Sequence, residues 1–327
     1  MTWKAMAPAE VCDLVDFWDA APWPLTRDQV QQRAVERFGW TTEVEDGTSY
    51  LMNTVSGFTV PDVSTIGSKG DLSYLKLNVA DTIREVTPGS RRFLGDAFAL
   101  AVREGEGRWG VPTLRDGEGT TSADWDTASG GRISFNLTAR SLSAVFHTPQ
   151  DVEGFERADH RGSEGAKPVA SDDPGSRSTT TPPVPWRMAH DWELFTERLA
   201  DAFRDVTDRV FLIVHAAADP RRYVQFAAAP DLLDAEAPAT DVVRDADEHL
   251  LRRTGWTAPD VAQPNWTSSL RRPALTDEFV QLARCCTAAL HGAYGITSPD
   301  GLRYRAWCEP PGAGAAAAVE FPVLGLD

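Results

Sequence analysis

Acidic side chains gather in two places along this chain of 327 residues: Asp124 and Asp126 flank Trp125, and Asp245, Asp247, Glu248 and His249 follow one another closely. Paired carboxylates can share a proton, and with an imidazole they can hold a metal ion. Both groups also fit a plainer role as solvated faces. His190 beside Asp191 suggests an acid/base pair, yet neighbours in sequence at a helix start point in different directions, so the position favours helix initiation. The run Gly105-Glu-Gly107-Arg-Trp109-Gly110 carries the letters of a dinucleotide fingerprint. That fingerprint needs a strand leading its glycines into a helix N-terminus, whereas these follow a helix and precede a turn; a helix cap is expected. Gly67-Ser68-Lys69-Gly70 is the nearest approach to an activated serine, and it stands among turn residues. The chain contains no Gly-x-Ser-x-Gly elbow, no Gly-Lys-Ser/Thr loop and no His-Glu-x-x-His helix. Cys12 stands alone, Cys285 and Cys286 are adjacent, and Cys308 is isolated; with the six histidines scattered, no zinc spacing arises, and buried thiols are expected. The sequence therefore assigns no catalytic residue, no metal and no cofactor.

Binding is better represented than catalysis. There are 11 tryptophans, many at turns and element ends, and tryptophan and tyrosine give large contact areas at small entropic cost. Tyr223, Gln225, Phe226, Trp256, Asn265 and Trp266 are the candidate binding residues, although Trp192 on its stripe and Trp256 after a glycine also suit a core. Asp and Glu outnumber Lys and Arg by 48 to 32, giving a net charge of −16. Such a field repels a phosphate backbone, so nucleic acid is an unsuitable partner. Apolar runs such as 210–218 fall far short of the roughly 20 residues a membrane helix needs, and residues 1–9 lack the pattern of a secretory signal. The expectation is a cytoplasmic protein with no membrane partner.

At about 150 residues per domain, the length suggests roughly two domains. Residues 156–186 are rich in Gly, Ser, Thr, Pro and Asp and lack large apolar anchors, as expected of a flexible linker between a domain at 1–155 and another at 187–309. A small-residue tail over 310–327 is expected to be mobile. In the first domain Val11, Leu14, Val15 and Trp18 have helical spacing, a second helix should run from near Thr26 to Gly39, and a third over 90–103 with Phe93, Ala97, Leu100 and Ala101 on one stripe. Strands are expected at 50–55 and 73–79, turns at Gly57, Pro61, Gly67 and Gly70, and a hairpin pairing 132–137 with 142–146. The second domain should open with a helix of about 18 residues bearing Met188, Trp192, Phe195, Leu199 and Phe203, with Arg198 facing out. A hairpin of 209–215 and 222–228 should follow, then helices over 240–253 and 275–293. Gly255-Trp256 repeats the ending Gly39-Trp40, which raises the idea that both halves are versions of one unit. The resulting fold class is α+β, two helix-on-antiparallel-sheet domains joined by the linker.

The segments Tyr223-Val-Gln225-Phe226-Ala, Ala235-Glu236, Gly255-Trp256, Pro264-Asn265-Trp266, and Ser298-Pro299 with Leu302-Arg-Tyr304 together resemble the TY-Chap family. These are peptide-binding chaperones named for their likeness to type III secretion chaperones and YbjN proteins. The run Gly57-Phe58-Thr-Val-Pro-Asp62-Val with Gly70-Asp71-Leu-Ser-Tyr74-Leu-Lys76-Leu is similar to an uncharacterised actinobacterial family found in type VII secretion neighbourhoods. The resemblances imply a non-enzymatic chaperone or adaptor for a protein or peptide, such as a secreted protein encoded nearby, and self-association as a homodimer. Two other readings stay open: an immunity protein whose acidic surface neutralises a basic toxin, and a metal-dependent enzyme using the cluster at 245–249.

Overall fold

The computed structural model describes residues 3–68, 71–117, 119–153, 188–310 and 314–326. The chain divides into two compact units, Met1–Thr179 and Thr180–Asp327. The segment expected to be a linker, 156–186, lies outside the described residues, as does part of Gly67-Ser68-Lys69-Gly70.

In the first unit, helix α1 (Pro8–Asp19) buries Val11, Leu14, Val15 and Trp18 at the expected spacing. Helix α2 (Arg27–Phe38) starts on a reciprocal cap: the Gln29 N–H donates to the Thr26 hydroxyl at 3.3 Å, and the Thr26 N–H donates to the Gln29 side chain at 2.9 Å. Gly39 closes it at φ 69, the left-handed conformation that glycine adopts without strain. Helix α3 (Pro88–Trp109) runs six residues beyond the expected end at 103, and its buried stripe is Leu94, Phe98, Ala101 and Val102, while Leu100 is exposed. Gly105 and Gly107 are therefore helical, and the cap is Gly110 alone. Packing explains Gly105: a Cβ there would stand 2.8 Å from the Trp109 ring and 3.1 Å from the Trp125 ring.

Eight antiparallel strands form the sheet of this unit, in the order β1-β2-β3-β4-β8-β7-β6-β5. They are β1 (Thr41–Glu45), β2 (Thr48–Met52), β3 (Asp62–Ser68), β4 (Asp71–Asn78), β5 (Thr113–Gly117), β6 (Thr120–Asp126), β7 (Arg132–Leu137) and β8 (Leu142–His147). The expected hairpin at 132–146 is β7–β8. Strand β3 occupies part of what reads as turns, because its glycine serves a bulge: the register with β4 shifts between Ile66 and Gly67, where a Cβ would lie 2.2 Å from the Asp71 carbonyl oxygen. Leu75, Leu77, Ala144, Phe146, Ile133 and Phe135 turn one sheet face into the core beneath the helices.

The second unit opens with helix α4 (Trp192–Ala202), shorter than expected because the Asp191 carboxylate accepts from the Leu194 N–H at 2.7 Å and fixes the start there. Arg198, expected to face out, is only 9% exposed. Then come β9 (Val210–Ala216), β10 (Tyr223–Ala229), β11 (Leu232–Ala237), helix α5 (Glu248–Arg253), β12 (Trp266–Arg271), helix α6 (Thr276–Thr287) continued by a π-helical turn over Ala288–Ala293, β13 (Leu302–Cys308) and β14 (Ala317–Ala318). The helix expected from 240 begins at 248, since the Asp247 carboxylate caps it by accepting from the Leu250 N–H at 2.9 Å. The sheet order is β12-β11-β10-β9-β13-β14, antiparallel throughout. The small-residue composition that suggests a mobile tail stops at Ala318; beyond it Phe321 and Leu324 are buried in the core of this unit. Gly39 and Gly255 both have positive φ before a buried tryptophan, but the two units differ in strand number and order, so the shared ending is a common cap rather than a repeat. Among the described residues no helix is long and apolar enough to cross a membrane.

Candidate functional site

Alternation along a strand sends successive side chains to opposite faces. In the second unit Leu212, Val214, Val224, Phe226, Leu233 and Ala235 join the core with the helices. Their neighbours Phe211, Ile213, Gln225, Ala227, Asp234 and Glu236 point the other way, and the apolar ones among them belong to neither core. Register ties this second face into rows across the strands. One row runs Arg305, Ile213, Gln225, Glu236, Thr267; the next runs Trp307, Phe211, Ala227, Asp234, Ser269. Phe211 and Trp307 stack with ring centroids 5.2 Å apart and planes within 12°, forming an apolar ridge on β9 and β13.

Across the face from that ridge, Glu236 sits half-buried within a set of amide donors. Gln225 Nε2 and Asn265 Nδ2 donate to its Oε2 at 2.8 and 2.9 Å, and Gln263 Nε2 donates to its Oε1 at 2.7 Å. Partial burial pushes this carboxyl up, but the donors from Asn265, Gln263 and Gln225 together outweigh it and hold it below its ordinary value. Asp234, without such donors, is shifted up by burial and by the like charges of Glu236 and Asp231. Burial raises Tyr223 as well, with the Glu236 charge adding to it and a hydrogen bond from Asn265 opposing it. No cation contributes to either carboxylate shift. Of the arginines of this face, Arg303 and Arg305 stand on β13, Arg271 stands on β12 in register with Leu232, and Arg209 precedes β9.

Three of the six residues read from the sequence as binding candidates thus meet around Glu236: Tyr223, Gln225 and Asn265. The other three are core. Phe226, Trp256 and Trp266 are 2%, 3% and 1% exposed. Alternation requires this of Phe226 once Gln225 faces outward. Trp256 donates its indole N–H to the Cys285 carbonyl at 3.2 Å, and Trp266 lies under the Arg252 guanidinium, 5.0 Å from its ring centroid. The sequence reading missed Phe211, Trp307, Asp234 and Glu236 as members of one surface.

Residues 185–308 match the family model described as "T3SS (YopN, CesT) and YbjN peptide-binding chaperone 3", TY-Chap3. The second unit carries a TY-Chap3 chaperone domain. Residues 9–148 match a family of unknown function, DUF6301. No curated protein and no solved structure matches the chain.

Within the TY-Chap3 domain the acidic run at 245–249 does not converge. Asp245 pairs with Arg222 at 2.7 Å, Asp247 caps α5, and Glu248 accepts from Thr240 at 2.8 Å and from Arg252 at 3.1 Å. Among the described residues no group of three or more His, Cys, Asp or Glu could hold a metal ion. His190 and Asp191 diverge as expected: the imidazole meets Asp300 at 3.0 Å while the carboxylate caps α4. In the DUF6301 region, Asp124 is only 8% exposed and pairs with Arg115 at 3.1 Å, and Asp126 pairs with Arg132 at 2.8 Å, so the tryptophan-flanking acids are ion-paired strand residues and Asp124 is no solvated one. Cys12, Cys285 and Cys286 are buried thiols, Cys12 pushed up to about 12 chiefly by burial. At physiological pH a thiol so shifted stays protonated and is a poor nucleophile.

Proposed function

We propose that this protein is a non-enzymatic chaperone or adaptor that holds an extended segment of another polypeptide on the open face of its TY-Chap3 sheet. The family match over the residues that build this face carries the reading. The Phe211–Trp307 ridge facing the carboxylates of β11 supports it, since such a surface offers both contact area and polar selectivity. The client we have in mind is a protein bound for secretion through a type VII route, met in the cytoplasm before export.

The test is crosslinking in the native host from a photoreactive residue at Ala227, with a second at Glu197 on the exposed side of α4 as control. A polypeptide adduct from position 227 and none from 197 is the expected result. Equal adducts from both, or none from 227, would remove the reading. A second reading, an immunity protein for a basic toxin, draws on the net charge of −16; it requires a folded basic partner whose affinity falls steeply with salt.

A further inference from the structure

Resting on the reading of this face as a peptide site, we propose that it selects an extended segment in which basic side chains alternate with apolar ones, the basic set reaching Asp234 and Glu236 and the apolar set covering Phe211 and Trp307.

Side-chain size shapes the face. Between the aromatic ridge and Asp234 stands Ala227, one row member with almost no height, and Ala229 follows it on the same side of β10. The walls of this trough are β9 and β11, two strand spacings or about 10 Å apart, which is room for one extended chain lying along β10. In such a chain successive side chains point in opposite directions. One set meets the Phe211–Trp307 wall and the other meets the β11 wall.

Charge decides what each set must be. On β11 Glu236 is held by amide donors alone, and Asp234 is shifted up by burial and by the like charges of Glu236 and Asp231. The donors that keep Glu236 ionised supply no positive charge, so its net charge faces the trough uncancelled. Arg303 and Arg305 lie on β13, the strand that also carries Trp307, with Ile213 and Gln225 standing between Arg305 and Glu236 in their row, while Arg271 stands on β12 in register with Leu232. A lysine or arginine of the client laid against β11 gains both carboxylates; a glutamate there meets repulsion from both. Because these groups are partly solvated, the gain is of surface ion-pair size, about 1 kcal/mol or fivefold in affinity.

Fluorescence anisotropy with the full chain tests this, using three labelled, N-acetylated octapeptides: alternating Lys-Leu, alternating Glu-Leu and alternating Lys-Ser. Lys-Leu should bind at least fivefold more tightly than either of the others. The D234N/E236Q double variant should bring Lys-Leu and Glu-Leu within twofold, and W307A should do the same for Lys-Leu and Lys-Ser. D234N alone, at an exposed position, should give part of the first effect without touching the amide set around Glu236. Because the whole molecule is acidic, E193Q/E197Q on α4 serves as a control with the same change in charge, and it should leave the preference intact. If it erases the preference as fully as D234N/E236Q does, the general field and not the trough does the selecting, and the proposal fails. Equal binding of all three peptides also overturns it while leaving the peptide-site reading standing. Binding of none overturns both.

Discussion

Two sheets in this chain are built alike, each antiparallel with helices on one face, and their second faces differ in how charge is disposed. In the DUF6301 region the part of that face on β5 to β8 is partly buried and carries ion pairs of its own. Ser134, Ser143 and Val145 on it are buried, Asp124 meets Arg115, Asp126 meets Arg132, and His147 meets Asp151 at 2.8 Å. In the TY-Chap3 domain the corresponding face separates its parts: aromatic ridge on β9 and β13, arginines on β12 and β13, and on β11 the Glu236 carboxylate held by amides with Asp234 beside it. A face whose charges are already paired has little to gain from a partner. One whose carboxylates stand across from an apolar ridge gains from a ligand that supplies the missing half. The comparison is the ground on which the peptide site is proposed for one sheet and not for the other.

The strongest way to break it is to separate stability from binding. Phe226→Ala should destabilise the TY-Chap3 unit by about 3–5 kcal/mol, because it empties a core position, whereas Trp307→Ala should barely change the unfolding midpoint and should weaken peptide binding. Chemical denaturation read alongside anisotropy checks both, and a binding loss from Trp307→Ala that simply tracks lost stability would sink the distinction. In the DUF6301 region, Gly105→Ala should cost about 1–3 kcal/mol through overpacking against Trp109 and Trp125. Thermal unfolding unchanged by that substitution would contradict the packing described. Thr26→Ala should cost about 1 kcal/mol by removing the α2 cap, again read by unfolding.

The smallest effect concerns pH. Glu236, held below its ordinary value, contributes stability that is present above the unfolded carboxylate range and lost as pH falls through its folded value. Asp234, shifted up, has the opposite sign: its ionised form costs stability, and that cost is relieved as pH falls. An NMR titration of the two side chains should find Asp234 above the ordinary aspartate value and Glu236 below the ordinary glutamate value. Glu236 at or above its ordinary value would show that the amide set does not hold it as described.

Much of the scaffold can be read directly from residue order. The stripe Val11, Leu14, Val15, Trp18, the cap at Thr26, the cap at Gly39 and the hairpin β7–β8 all rest on local spacing that tertiary packing did not alter. Strands such as β3, Asp-Val-Ser-Thr-Ile-Gly-Ser, and β6, Thr-Thr-Ser-Ala-Asp-Trp-Asp, escaped because small and polar residues on the second face blur the alternation. The helix at 240–253 was overlong because a single cap, Asp247, overrode a run of otherwise helical residues. For the site, Tyr223, Gln225 and Asn265 were visible as polar or aromatic residues beside turns. Phe211 was hidden in Val-Phe-Leu-Ile-Val-His-Ala, a strand apolar on nearly every residue, where composition cannot tell one face from the other. Glu236 needed the sheet register, which brings Gln225 opposite it from another strand.

The most direct measurement replaces all 11 tryptophans with fluorotryptophan and follows the fluorine resonances of the full chain as the Lys-Leu octapeptide is added. The account predicts that Trp307 shifts, while Trp18, Trp109 and Trp125 of the DUF6301 region stay in place. Movement of those three with Trp307 unchanged would contradict it, since the peptide would then be bound by the other unit.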